Sequence, residues 1–121
     1  MEEKSYRGLT VWQKAIDLVV EVYKLTKLLP KDEFYGLVVQ LRRAAVSIPS
    51  NIAEGNSRRT PQEYIHFLGI ARGSKSEVET QLEICIRLNY LLNDQAKDAF
   101  KLCAEIGKML NSMIRRLGSR E

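Results

Sequence analysis

Only seven glycines, three prolines, two cysteines and one histidine occur in the 121 residues. Scarce glycine and proline, beside abundant Leu, Ile, Lys and Glu, argue against a turn-rich β architecture and point to an all-α protein. No stretch approaches the roughly 18 uninterrupted apolar residues of a membrane span, so no membrane partner is expected. The opening "MEEKSYRG" is charged and has no apolar segment behind it, so it does not read as a secretory signal, and a cytoplasmic location is expected. Cys85 and Cys103 fall inside helical patterns with no CxxC spacing and no histidine-rich surroundings, and are read as reduced, buried core residues.

Enzyme chemistry has few parts available. No phosphate-binding loop, dinucleotide fingerprint, zinc-protease motif or nucleophile elbow occurs. Glu63-Tyr64-Ile65-His66 has the Glu-x-x-His spacing of di-iron bundles, but such sites need two of these motifs and this chain has one histidine. Glu63 also has a sufficient task at a helix start. The chain is therefore read as a non-enzyme, with no metal and no cofactor expected.

What is present is a helical rhythm. At 121 residues the chain suits one domain that buries roughly two-thirds of its unfolded surface. A first helix is expected from Thr10, with Thr10 and Gln13 in capping-box spacing. It carries two apolar stripes, one through Trp12, Ala15, Ile16, Val19, Tyr23 and Thr26 and one through Val11, Leu18, Val22, Leu25 and Leu29. One stripe suffices to line a core, so the second suggests packing outside the bundle. A second helix is expected from Asp32 or Glu33 to about Glu54, its apolar face running Phe34, Leu37, Val38, Leu41, Ala45, Ile48 and Ile52, kinked at Pro49 and stopped by Gly55-Asn56. Thr60-Pro61-Gln62-Glu63 opens a third of about 30 residues, roughly 45 Å long, whose face runs from Tyr64 to Leu92. Asn93 is expected to cap a fourth, with Ala99, Cys103, Ile106, Leu110, Met113 and Leu117 in heptad rhythm and Gly118 at its end. Short connections make an antiparallel up-down-up-down four-helix bundle the simplest topology.

Polar residues line one side of the second helix: Arg43, Ser47, Asn51 and Glu54. The third helix carries His66, Gly73, Ser74, Glu77 and Gln81 in a comparable row. Arg43, Ser47, Asn51, Glu54, Ser74 and Glu77 are read as an internal polar network that fixes helix register, with Arg43 and Glu77 paired and Gly73-Ser74 allowing close backbone approach. A ligand or active-site cleft along this seam is the alternative.

"VWQKAIDLVVEVYKLTKLLPKDEFYGLVVQLRRAAVSIPSNIAEG", followed by "EYIHFLGIARGSKSEVETQLEI", resembles the 23S rRNA intervening-sequence protein family over roughly residues 8 to 117. The chain is also similar to the accessory proteins of diversity-generating retroelements. The first resemblance implies a homopentamer of antiparallel bundles, and the second implies binding to nucleic acid and to a reverse transcriptase. The family pattern covers Arg43, Ser47, Pro49, Asn51, Glu54, Gly55, Gly73, Ser74 and Glu77 as signature positions, with no catalytic role implied.

The formal net charge of +4 gives a mild bias towards anionic partners. Basic residues concentrate at Arg58 and Arg59, before the third helix, and at Lys108, Arg115, Arg116 and Arg120 along the fourth helix and tail. These six are the candidate nucleic-acid contacts. Arg58 and Arg59 are read as having no helix-dipole role, and the two clusters as lying at opposite ends of one bundle, joined only by assembly of several subunits. No aromatic residues interleave with them, so RNA or DNA would be bound by shape and charge with little sequence preference. The rival reading is a protein–protein adaptor that touches no nucleic acid.

Overall fold

The computed structural model describes residues 5–119. They form α1 (Thr10–Thr26), α2 (Leu37–Asn56), α3 (Pro61–Arg87) and α4 (Asn93–Gly118), with single 3₁₀ turns at Tyr6–Gly8 and Lys31–Glu33; no strand occurs among the described residues. Each helix packs on its neighbours in chain order, and α4 closes the circuit against α1. Leu18, Leu41, Ile48, Ile52, Leu68, Leu82, Ile106 and Leu110 are fully buried at the centre, so all four helices contribute large aliphatic side chains to one core.

The two stripes of α1 have different fates. Val11, Leu18, Val22 and Leu25 enter the core, with Ala15 and Thr26 from the other stripe. Trp12, Ile16 and Val19 are half-buried and line a shallow surface groove with Val46, Pro49 and Ala53 of α2.

The helix ends depart from the sequence expectation in several places. Thr10 does not cap α1; Leu9 takes the extended cap position, and the Gln13 side chain donates instead to the Arg7 carbonyl at 2.9 Å. A preceding 3₁₀ turn, begun by Ser5 accepting from the Arg7 N–H, supplies that carbonyl. The second helix starts at Leu37, later than Asp32 or Glu33. Lys31–Glu33 closes as a separate turn, and the Glu33 carboxylate reaches forward to accept from the Leu37 N–H at 3.2 Å, an acidic cap at the positive helix end. Phe34 is consequently outside the helix and 55% exposed, not part of the core face.

α2 runs through Pro49 to Asn56, as expected, although proline offers no N–H to the Ala45 carbonyl. Gly55 is not a stop; it is buried inside the helix, where an added Cβ would lie 2.9 Å from a Tyr64 ring carbon and 3.2 Å from the Tyr64 carbonyl oxygen. Glycine is needed there for close packing against α3. Gly73, expected to serve that purpose, is exposed and faces open space.

α3 ends at Arg87. Asn89 takes a left-handed conformation (φ 65°), which a short polar side chain tolerates, and the Tyr90 N–H returns to the Cys85 carbonyl at 2.8 Å. That turn buries Leu91 and leaves Leu92 68% exposed, so the expected apolar face stops one residue out of register. Asn93 is the first residue of α4 rather than its cap; the Gln95 side chain accepts from the Leu92 N–H at 2.8 Å.

Candidate nucleic-acid interface and polar seam

The start of α1 fixes the arrangement of charge. Leu9, Thr10 and Val11 share a groove with Lys108, Met109 and Arg116 of α4, while Trp12 meets Pro49 and Ala53 near the end of α2. The loop after α2 and the last turns of α4 therefore lie at the same end, not at opposite ends. An up-down-up-down chain returns to its starting end after every second helix, which the sequence expectation overlooked.

At this end Arg115 and Arg116 occupy the last turn of α4, where cations complement the helix dipole. Lys108 is exposed further up the same helix, and Arg120 lies outside the described residues. Arg58 and Arg59 lie beyond the Ser57 cap of α2, whose last turn holds no basic residue, and Arg59 directly precedes the Thr60 cap of α3. The Arg58 N–H donates to the Gly55 carbonyl at 3.1 Å, closing the helix. Its guanidinium pairs with Glu54 and lies 4.7 Å from the centre of the Phe67 ring. Among the described residues Arg59, Lys108, Arg115 and Arg116 make no ion pair, and all four are exposed. Arg7, at the same end and 5.8 Å from the Tyr6 and Trp12 ring centres, is a cation that the sequence reading did not single out.

The polar seam between α2 and α3 is only partly as expected. Ser74, buried on α3, donates to the Ser47 hydroxyl at 2.9 Å, and the Asn51 amide donates to the same hydroxyl at 2.9 Å and to the Ser47 carbonyl at 2.8 Å. These three residues tie the two helices in one register. Glu54 faces Arg58 instead, and Arg43 and Glu77 form no ion pair among the described residues. Both are exposed and line a polar cleft of about 370 Å³ with Tyr35, Gln40 and Gln81. The buried Gln81 carbonyl oxygen has no hydrogen-bond partner. His66 is exposed and packs edge-on to Phe67 at 5.1 Å. No group of three potential metal ligands occurs among the described residues.

Cys85 and Cys103 are buried and unpaired. Burial, with the Glu33 charge, pushes the Cys85 thiol up to about 11; burial, with the Glu79 charge, pushes Cys103 to about 12. Neither is an activated nucleophile. No helix among the described residues is long and apolar enough to cross a membrane.

Four packed amphipathic helices, tied by a serine–asparagine seam and basic at one end, define an all-helical protein. The chain belongs to the 23S rRNA-intervening sequence protein family, whose model matches residues 7–112. It is similar to a crystal structure from Bacteroides thetaiotaomicron, a protein with unknown function from the S23 ribosomal protein family. The two are 29% identical, with a TM-score of 0.80, over 87% of this chain and 98% of that one. No curated protein matches.

Proposed function

We propose that the protein is a non-enzymatic, cytoplasmic, homo-oligomeric bundle of antiparallel helices that binds structured RNA or DNA through its basic end. The observation that supports this reading is that Arg59, Arg115 and Arg116 lie at the same end, exposed and, among the described residues, without carboxylate partners. Lys108 extends that surface along α4, and Arg58, anchored by Glu54 and Phe67, flanks it as a positioned cation. Arg120 would add to it from the tail. Binding of this kind neutralises phosphates and releases counterions, with little dependence on sequence.

Assembly multiplies such an end around a ring. The resemblance implies a pentamer, and the half-buried groove of Trp12, Ile16, Val19, Val46 and Ala53 supports a subunit interface outside the bundle core. The polar seam is a register device in this reading.

The test is fluorescence anisotropy with short structured RNA and with duplex DNA across a salt series. A steep fall in affinity with salt is expected, with a log–log slope of about −0.9 per duplex phosphate contacted. Absence of binding at low salt, from a folded sample, overturns the reading. The adaptor reading then leads, and one observation favours it: Phe34, Tyr35 and Leu92 are each more than half exposed at the other end of the bundle.

A further inference from the structure

The connection between α1 and α2 presents two aromatic rings to solvent. Tyr35 is 88% exposed and Phe34 55%, and the rings meet edge to face with centres 4.8 Å apart. Single exposed apolar residues are ordinary on a protein surface. Here they border a groove of about 510 Å³ with Leu29, Pro30 and Val38 on its apolar wall. Leu28, Leu88 and Leu92 are exposed at the same end, which the Tyr90 hydroxyl ties together by donating to Glu33 at 3.0 Å.

The rim of the groove is cationic. Lys27, Lys31 and Arg42 line it, and among the described residues no carboxylate does. Of the two carboxylates in the adjoining turn, Glu33 is engaged by the Leu37 N–H and the Tyr90 hydroxyl, and the exposed Asp32 follows Lys31 but does not line the groove. Arg42 is held in place, its Nε donating to the Thr26 hydroxyl at 2.9 Å and its guanidinium stacked 4.3 Å from the Tyr23 ring centre. Backbone hydrogen bonds from Glu33 to Pro30, Phe34 to Lys31 and Gly36 to Glu33 hold the aromatic turn, so little ordering entropy is lost when it binds.

We infer that this groove docks a short linear segment of a partner protein, acidic and bearing one or two large apolar side chains. The aromatic pair and aliphatic wall would seat the apolar anchors, while Lys27, Lys31 and Arg42 select the carboxylates. The groove accommodates a few anchor side chains, well short of the roughly 800 Å² per partner of a standard globular interface. A single-stranded nucleic acid could use aromatic rings and cations as well. The aliphatic wall, however, gives base edges no polar partner. The inference stands apart from the nucleic-acid reading, which concerns the other end.

A random linear peptide library displayed on phage, selected on the full-length protein, reads the occupant's chemistry directly. Enriched peptides should pair Asp or Glu with Phe, Trp or Leu. Their synthetic forms, followed by anisotropy, should bind about tenfold more weakly to Tyr35→Ser, as expected on losing an aromatic anchor, and to the Lys27→Glu/Lys31→Glu protein. Arg115→Ala/Arg116→Ala should leave peptide binding unchanged. No enrichment, enrichment of basic or purely polar peptides, or full binding by Tyr35→Ser overturns the inference. Two further outcomes also overturn it: tighter binding of a labelled oligothymidylate at this groove than of any peptide, and dissociation of the oligomer in sedimentation of Tyr35→Ser. Circular dichroism checks the fold of each variant, and the exposure of Tyr35 and Lys31 makes unfolding an unexpected result.

Discussion

The two ends of the bundle carry different chemistry for different reasons. At the basic end, part of the positive charge has a structural task. Arg115 and Arg116 sit on the negative terminus of α4, and Arg58 closes α2 and pairs with Glu54. At the aromatic end, Phe34, Tyr35 and Leu92 have no comparable duty: they are outside the core, and the fold forms without burying them. A charged residue at a helix terminus is therefore weaker evidence of function than an exposed ring in a hydrogen-bonded turn. Arg59 and Lys108, which sit in no helix's last turn, carry more of the nucleic-acid reading than their neighbours.

The largest effect expected is on binding, and it separates the ends outright. Arg115→Ala/Arg116→Ala should flatten the log–log salt slope for duplex DNA by about 1.8 per subunit engaged, if both arginines contact phosphate. Tyr35→Ser should leave that slope unchanged. If the two variants behave alike in anisotropy, the division of labour between the ends is lost.

A second contrast lies within the α2–α3 packing. Gly55→Ala forces a methyl to within 3.0 Å of Phe67 Cβ and 3.2 Å of the Tyr64 backbone oxygen, neither of which is the end of a flexible chain. Overpacking of this kind costs about 1–3 kcal/mol, partly offset by alanine's better helix propensity. Gly73→Ala meets open space and should stabilise by about 0.5–1 kcal/mol through propensity alone. Urea denaturation of both variants should move the midpoint in opposite directions. Because Gly55 precedes the Arg58–Arg59 loop, Gly55→Ala should also weaken nucleic-acid binding, whereas Gly73→Ala should not.

Much of this frame was legible in the sequence, and the misses share a cause. The four helices, the passage of α2 through Pro49 and the buried cysteines follow from apolar period, which the core enforces along each helix. The ends do not follow that period. Gln13, Glu33, Glu63 and Gln95 all bond to backbone near helix starts, but only the Thr60–Glu63 start has an N-cap side chain that accepts, and there Glu63 reaches Arg59 rather than Thr60. Which backbone group a long side chain finds depends on the preceding turn, and sequence spacing does not give that turn. Likewise Gly55 reads as a helix stop and Gly73 as the point of close approach, and only the packing of α2 against α3 reverses those roles. The Arg43–Glu77 pairing failed in the same way, since charges of opposite sign on adjacent helices need not point at each other. The aromatic end was missed because Phe34 fits the apolar period of α2, and that period predicts burial until the helix is seen to begin at Leu37.

The aromatic end also depends on one carboxylate. Glu33 caps α2 and accepts from Tyr90, joining the connection before α2 to the one before α4. Glu33→Ala should cost about 1 kcal/mol from the lost cap and loosen the Phe34–Tyr35 turn. Tyr90→Phe keeps the cap and should cost less, which thermal unfolding of both variants would resolve. Faster amide exchange confined to residues 31–37 in Glu33→Ala is expected. Exchange that rises equally around Arg58 would mean that the two ends are not independent.

The smallest effect at neutral pH comes from the thiols, and it grows with alkalinity. Cys85 lies near Glu33, at the aromatic end, and Cys103 lies in the middle of α4; both hold their protons above the ordinary thiol value of 9.0, to about 11 and about 12. An acid whose folded pKa is raised favours the folded state fully below the unfolded pKa. That contribution is lost as pH rises through the unfolded value towards the folded one. Stability should therefore be insensitive to these groups up to about pH 8 and should fall through the window from 9.0 to about 12. Cys85→Ser/Cys103→Ser removes this part of the fall, although burying two hydroxyls lowers stability at neutral pH. Iodoacetamide labelling with mass spectrometry distinguishes the sites. On rising pH Cys85 should be alkylated before Cys103, because its thiolate forms earlier and the loops of the aromatic end open more readily than mid-helix packing. The reverse order would mean that the middle of α4 opens before the turn that carries Phe34 and Tyr35, and that turn would then be the more rigid element of the bundle.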